Sequence, residues 1–369
     1  MPIRIIPIIF FILIILFSII QFGGVFEKKL YIFEILLCFS SFLCFTFFKF
    51  SKKILLIFLF YIPVLFFSLF NSFFSGDLLT FFTFLFYFIA ILICIIFGSN
   101  LNSNQLKSIL IAYICLNLII NILGLVFKNN SFFNAFSGVF YNPNAYGLFC
   151  SFSLVFVYLY SKVNKVKINI YFILFYFINS LGMLLSVSRL SLICCIISIL
   201  FFILLDKFNL KILIINKNKF KILFILVFLC FVFYLTGLLD SFINKTVDLQ
   251  DNLSNGRSDL WDTALMNMNF YGHGASYYKS GDVAVHNNYL NIGLLFGSTI
   301  AFSIIFFWIC LIVFLLVNYY LTSSKYVLLS ISILLYGLIY WMFEIGSSFV
   351  FVWVLFMLIG YSCFNVSKK

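Results

Sequence analysis

The sequence predicts an all-α, polytopic integral membrane protein of about 12 transmembrane helices with one long outward-facing loop. Of its 369 residues, 64% are hydrophobic and only 9% are charged, and the mean hydropathy is +1.19. A soluble domain carries about 25% charged residues. This composition excludes an ordinary globular protein, a secreted mini-domain, a nucleic-acid-binding domain and a disordered chain.

Apolar stretches of the length that a membrane-spanning helix needs, about 20 residues, recur along the chain. They are 3–22, 30–48, 54–70, 78–97, 106–127, 145–160, 168–186, 190–205, 220–240, 287–317, 327–343 and 346–364. The first lacks a small-residue cleavage site, so we expect it to remain as a span. The predicted organisation is a bundle over 1–240, a hydrophilic loop over 241–286 and a second bundle over 287–369.

The charge distribution predicts which side of the membrane each loop faces. With the N-terminus inside, most of the 23 Lys and Arg residues fall in inner loops or at the termini, and Asp206 alone among the 11 acidic residues does so. Lys and Arg favour the cytoplasmic side. Both termini are therefore predicted to be cytoplasmic, with loop 241–286 outside. The net charge of +12 reflects topology and needs no nucleic-acid partner.

The ten cysteines all lie in apolar stretches, and none lies in the long loop. The sequence contains no CxxC pair and no His/Cys cluster with metal-ligand spacing. It therefore predicts no disulfide framework and argues against a structural zinc site, and we expect no cofactor.

Loop 241–286 is the only long hydrophilic segment, and long loops in compact proteins are usually functional or disordered. It contains both histidines, His273 and His286, and one of three arginines, Arg257. A helical apolar pattern after the N-cap candidate Ser258 predicts a short amphipathic helix on the membrane surface. The pattern consists of Leu260, Trp261, Ala264, Leu265 and Met268.

Arg257 stands immediately before this predicted helix. Free backbone amides beside a guanidinium group form a suitable phosphate site. The alternative is that Arg257 pairs with Asp259 or Asp262 and only fixes the loop.

His286 and Asn287 stand where the loop enters the membrane. A histidine titrates near neutral pH and suits proton abstraction. The alternative is that His286 caps the following helix or lies at the interface.

Three further polar positions lie near the predicted outer face. An arginine at this depth is costly, so Arg189 has an anionic partner or a functional role. The alternative is that its side chain snorkels to the interface. Asn142 and Asn144 flank a proline before the sixth span, where Asn144 either caps a helix or contacts a sugar. Glu344 acts as an acid or base, or neutralises one of the arginines.

Several segments together resemble a known family. SNGRSDLWDTAL (254–265), YGHGA (271–275) and HNNYLNIGLLFG (286–297) resemble the large outer loop of the O-antigen polymerase and ligase superfamily. FYNPNAYG (140–147) and SVSRLSL (186–192) are similar to two upstream segments of that family. The matches occur in family order and cover roughly 138–300.

The resemblance implies a metal-independent, all-helical glycosyltransferase of the GT-C-like type in the bacterial cytoplasmic membrane. Such an enzyme takes a glycan from undecaprenyl pyrophosphate and passes it to an acceptor hydroxyl. Arg189 and Arg257 would bind the pyrophosphate and stabilise the leaving group, and His286 would accept or orient the acceptor proton. The implied substrate-binding residues are Asn142, Asn144, His273, Asn287 and Glu344.

Polymerase and ligase share these segments, and the modest outer loop favours a polymerase that joins lipid-linked repeat units. A ligase, which transfers the finished glycan to a terminal acceptor, is the alternative within the superfamily. A flippase or transporter for lipid-linked sugars is the alternative of another class, and a membrane scaffold without chemistry is a third. The implied partners are the lipid-linked oligosaccharide, membrane lipid, a flippase and a chain-length regulator.

Overall fold

A computed structural model describes the following parts of the chain: 54–127, 136–138, 140, 142–166, 170–208, 257–274, 277, 285–343 and 350–364. Three predicted spans, at 3–22, 30–48 and 220–240, lie outside these residues, and so does Glu344. For Arg257 the structure describes the backbone only.

Most of the described residues are helical. The helices are α1 (Leu55–Ser75), α2 (Leu78–Ser99), α3 (Ser103–Phe127), α4 (Pro143–Asn164), α5 (Ile170–Leu185), α6 (Arg189–Phe208), α7 (Arg257–Asn267), α8 (Asn288–Phe296), α9 (Ser298–Thr322), α10 (Lys325–Phe343) and α11 (Val350–Cys363). Among the described residues, seven helices are long and apolar enough to cross a membrane. An all-α polytopic membrane protein is thereby confirmed, whereas the number of about 12 spans stays a prediction.

Side-chain contacts place the start of α10 at the same end of the bundle as the ends of α4 and α6. Lys325, at the start of α10, forms an ion pair of 2.9 Å with Asp206 near the end of α6. Tyr326 donates a hydrogen bond to Asn164 at the end of α4. We call this the inner end, because the predicted topology puts it in the cytoplasm, and the opposite end the outer end.

The closest helix–helix packing joins α2 to α11 at two glycines. A Cβ atom on Gly98 would lie 1.9 Å from the carbonyl oxygen of Met357, and one on Gly360 would lie 2.2 Å from that of Ile95. The contact is reciprocal, because each carbonyl belongs to the residue three positions before the opposite glycine. Small residues allow such close backbone approach in membranes, where weak Cα–H···O contacts add to van der Waals packing.

The stretch 287–317, predicted as one span, forms two helices instead. Gly297 adopts φ 107° and ψ 147°, which ends α8 before α9 begins. The amide of Ser298 donates to the carbonyl of Asn269, 2.9 Å away, and Gly272 packs so closely that a Cβ there would lie 2.5 Å from the Leu295 oxygen. The prediction of one continuous span is wrong here. Residues 269–274 pack against the chain at Gly297, and this close approach is possible because Gly272 and Gly297 have no side chain.

Helix α7 confirms the predicted helix in the long loop but corrects two details. It begins at Arg257, so this arginine lies in the first turn and not before it. Ala264 is buried against α8 together with Trp261, whereas Leu265, predicted on the same face, is exposed. Leu260 and Met268 are half-buried as well, so only Leu265 departs from the predicted apolar pattern. Helix α7 packs on α8 through Trp261 and Ala264.

We expect Gly98→Leu to destabilise the bundle by about 3 kcal/mol or more, because the new side chain meets backbone that cannot move aside. The midpoint of thermal unfolding in detergent, followed by size-exclusion chromatography, measures this. Ser108→Leu is the matched control, since it adds the same side chain at an exposed position of α3. Equal midpoints for the two variants would contradict the packing described for α2 and α11.

Candidate functional site

The first part of the candidate site is the N-terminus of α4. The side chain of Asn142 accepts a hydrogen bond from the Asn144 amide at 2.8 Å, and Pro143 occupies the first helical position. This is a favourable start for a helix, because proline has no amide to leave unpaired. Capping, which the sequence offered as one role of Asn144, therefore falls to Asn142, and Asn144 lies half-buried in the first turn.

The second part is the turn between α5 and α6. Ser186 and Ser188 are buried, and Val187 between them has a φ of 51°. Arg189 follows as the first residue of α6 and is half-buried.

Gly147 brings these two parts into direct contact. A Cβ on Gly147 would lie 2.4 Å from Ser186 Oγ and 2.6 Å from Ser188 Cβ. The FYNPNAYG and SVSRLSL segments, which the sequence identifies separately, therefore form one corner at the outer end. Sequence reasoning assigned no role to Gly147, although it lies within a quoted segment.

A buried network of polar side chains in α3, α4 and α5 adjoins this corner. Tyr146 donates to Asn121 Oδ1 at 2.6 Å, and Asn121 donates to the Asn117 carbonyl at 2.9 Å. Asn179 donates to Asn117 Oδ1 at 2.8 Å, and Asn117 donates to Ser153 Oγ at 2.8 Å. The network links α3, α4 and α5 inside the membrane, where polar groups need protein partners. The signal for it in the sequence is the pair of asparagines four residues apart in an apolar span.

The third part of the candidate site is the N-terminus of α8. Asn287 is the N-cap, and its side-chain oxygen accepts from the amides of Tyr289 at 3.0 Å and Leu290 at 3.1 Å. His286 precedes it, half-buried, with a φ of 51°. The indole N–H of Trp261 donates to the Val285 carbonyl at 3.0 Å. This hydrogen bond connects α7, which begins at Arg257, to the chain just before α8.

Backbone strain occurs in the turn before α6 and in the turn before α8. Among the described residues, four that are not glycine have a positive φ: Lys165, Val187, His286 and Ser323. Lys165 and Ser323 end helices at the inner end, where this conformation is common. Val187 and His286 instead each lie two residues before a helix begins, α6 and α8 respectively. Such strain is concentrated at functional sites.

The structure does not bring His273 to His286. The amides of His273 and Gly274 donate to the carbonyls of Leu294 at 3.1 Å and Leu295 at 2.8 Å, near the C-terminus of α8. His286 lies at the other end of that helix, which is about 13 Å long at 1.5 Å per residue. The exposed ring of His273 bonds to the Asn267 carbonyl at 2.7 Å through Nε2.

Across the described ranges, no three His, Cys, Asp or Glu side chains form a group that could hold a metal ion.

Comparison of the chain with protein-family models finds no match, and comparison with curated proteins finds none either. The resemblance to the O-antigen polymerase and ligase superfamily therefore depends on the sequence segments themselves. The activity that it implies stays a prediction.

We expect Tyr146→Phe to destabilise the protein by about 1 kcal/mol, because it removes one of the hydrogen bonds to Asn121 Oδ1 inside the membrane. Tyr320→Phe is the control, since it makes the same change on α9 at a side chain that is 86% exposed. Thermal unfolding of the two purified variants measures the difference. A loss of stability no larger than that of the control would show that the network does not hold the corner.

Proposed function

We propose that the protein is a polymerase of lipid-linked oligosaccharide repeat units, acting on the outer face of the bacterial cytoplasmic membrane. It joins repeats carried on undecaprenyl pyrophosphate into O-antigen, capsule or exopolysaccharide. The observation that carries the proposal is the contact between the α4 and α5–α6 segments through Gly147. Segments that resemble one family in sequence thereby meet at one end of the bundle.

The positions of two arginines support the proposed recognition of a pyrophosphate. Arg189 and Arg257 are each the first residue of a helix, α6 and α7. A helix N-terminus carries partial positive charge and free amides, and a guanidinium group adds paired donors for phosphate oxygens. The two arginines therefore suit a lipid-linked pyrophosphate, whose charge lies at headgroup level.

The proposed reaction is a single displacement. A hydroxyl oxygen of the acceptor sugar bonds to the anomeric carbon of the donor glycan, and the bond from that carbon to the pyrophosphate oxygen breaks. The hydroxyl proton passes to His286, and undecaprenyl pyrophosphate leaves with the electron pair. Arg189 and Arg257 stabilise the charge that develops on the leaving oxygen.

The buried polar residues favour this proposal over a transporter. Among the described residues, the buried polar side chains belong to Ser, Thr and Asn, and no charged side chain is buried. Transporters commonly place ionisable groups near the membrane midplane, where their substrates and coupling ions bind. In the described part of this chain, the arginines lie instead at helix starts at the outer end or in the long loop.

We expect His286→Ala and Arg257→Ala to reduce long-chain polysaccharide by about 100-fold or more, which is the usual contribution of a proton acceptor or charge stabiliser. Cells expressing each variant at matched levels are compared by electrophoresis of their surface polysaccharide. If the protein is a polymerase, single repeat units still reach the surface in both variants. Lys162→Ala, which removes an exposed charge at the inner end, is the control.

Two results would contradict the proposal. Loss of long chains and single repeats together, with polymer accumulating on the lipid carrier, would indicate a ligase. A chain-length pattern equal to that of the Lys162→Ala control would show that these residues are not catalytic.

A further inference from the structure

Asn71 is a buried amide in the outer part of α1, inside the apolar run FSLFNSFFS. Its side chain is completely buried. An amide inside a membrane protein is costly unless it is hydrogen-bonded. Its partners therefore indicate why the position is polar.

The amide nitrogen of Asn71 contacts three separate segments. It donates to the Phe296 carbonyl at 2.7 Å, to Thr299 Oγ1 at 2.9 Å and, more weakly, to the Phe270 carbonyl at 3.4 Å. These acceptors belong to the end of α8, the start of α9 and the loop 269–274. Thr299 in turn donates to the Phe270 carbonyl at 3.1 Å. One side chain on α1 thus joins all three segments.

These acceptors exist because the helix is interrupted at Gly297. The last carbonyls of a helix have no partner within it and must find donors elsewhere. Leu294 and Leu295 receive theirs from the loop amides of His273 and Gly274. Phe296 receives its donor from Asn71. The side chain therefore completes the pairing at the break.

We propose that Asn71 is a positioning residue that fixes loop 269–274 and the C-terminus of α8 to the membrane bundle. Because α8 is a rigid rod with His286 directly before its N-cap, fixing one end of the helix sets the place of the histidine at the other. The structural part of this proposal stands by itself, whereas its consequence for catalysis rests on the proposed function.

The two ends of the Asn71 side-chain amide differ in their hydrogen bonding. Within the described residues, Asn71 Oδ1 has no hydrogen-bond partner, whereas Nδ2 is directed at three acceptors. The side chain therefore acts as a donor. Asn71→Leu keeps a similar volume and removes the donor, and Thr299→Val is a milder change that removes only the hydroxyl between Asn71 and Phe270.

Hydrogen–deuterium exchange of the full-length protein in detergent, read by mass spectrometry, tests the structural part. In Asn71→Leu we expect the amides of His273 and Gly274 to exchange about tenfold faster, because their segment loses its anchor. Exchange within α2 and α10 is expected to stay unchanged. Asn318→Leu is the matched control, since this asparagine donates within its own helix, to the Phe314 carbonyl, toward the inner end of α9.

If Asn71→Leu does not fold, Thr299→Val provides the same comparison with a smaller expected increase. Exchange at His273 and Gly274 equal to that of the Asn318→Leu control would overturn the proposal, whatever happens to the polysaccharide.

Polysaccharide chain length in the same strains separates the two proposals. Faster exchange with shorter chains would support both. Faster exchange with chains of normal length would support the positioning of the loop by Asn71 and would contradict its inferred consequence for catalysis.

Discussion

Inside a membrane, every backbone amide and carbonyl needs a partner from the protein itself, and this requirement organises the structure. Regular helices meet it without help. At Gly297 the helix stops, and the carbonyls of Leu294, Leu295 and Phe296 are paired by a loop and by Asn71. Non-helical backbone is thus accommodated at the C-terminal end of α8, the end opposite His286.

Glycine contributes in two different ways to this arrangement. Gly98 and Gly360 let the backbones of α2 and α11 come into contact, away from the candidate site. Gly147 and Gly272 serve the outer end, where each leaves space for another segment to pack against a helix. At all four positions, the Cβ atom of any other residue would collide with a neighbouring segment. At Gly147 and Gly272, these contacts restrict the distances between the segments of the outer end.

Hydropathy predicted most of the described fold, because a run of about 20 apolar residues has few alternatives to a spanning helix. The stretches 78–97 and 327–343 match α2 and α10 to within two residues at each end. The break in 287–317 was not predictable in this way, since averaging over a window hides a single glycine. Asn71, which pairs the Phe296 carbonyl at this break, is 225 residues away in sequence. Likewise, sequence identified the segments around Asn142 and Arg189 but not their contact through Gly147.

The two strained residues connect the fold to the proposed chemistry. A left-handed backbone costs about 1–2 kcal/mol for a residue other than glycine, so it persists only where the surroundings enforce it. At Val187 the enforcing contacts are the buried serines packed on Gly147, and at His286 they are the cap of α8 and the Trp261 bond to Val285. In both places the strained turn leads directly into a helix N-terminus, the part of a helix that attracts anions. Under the proposed function, the packing that holds these turns also fixes the backbone positions from which Arg189 and His286 would act on the lipid-linked pyrophosphate.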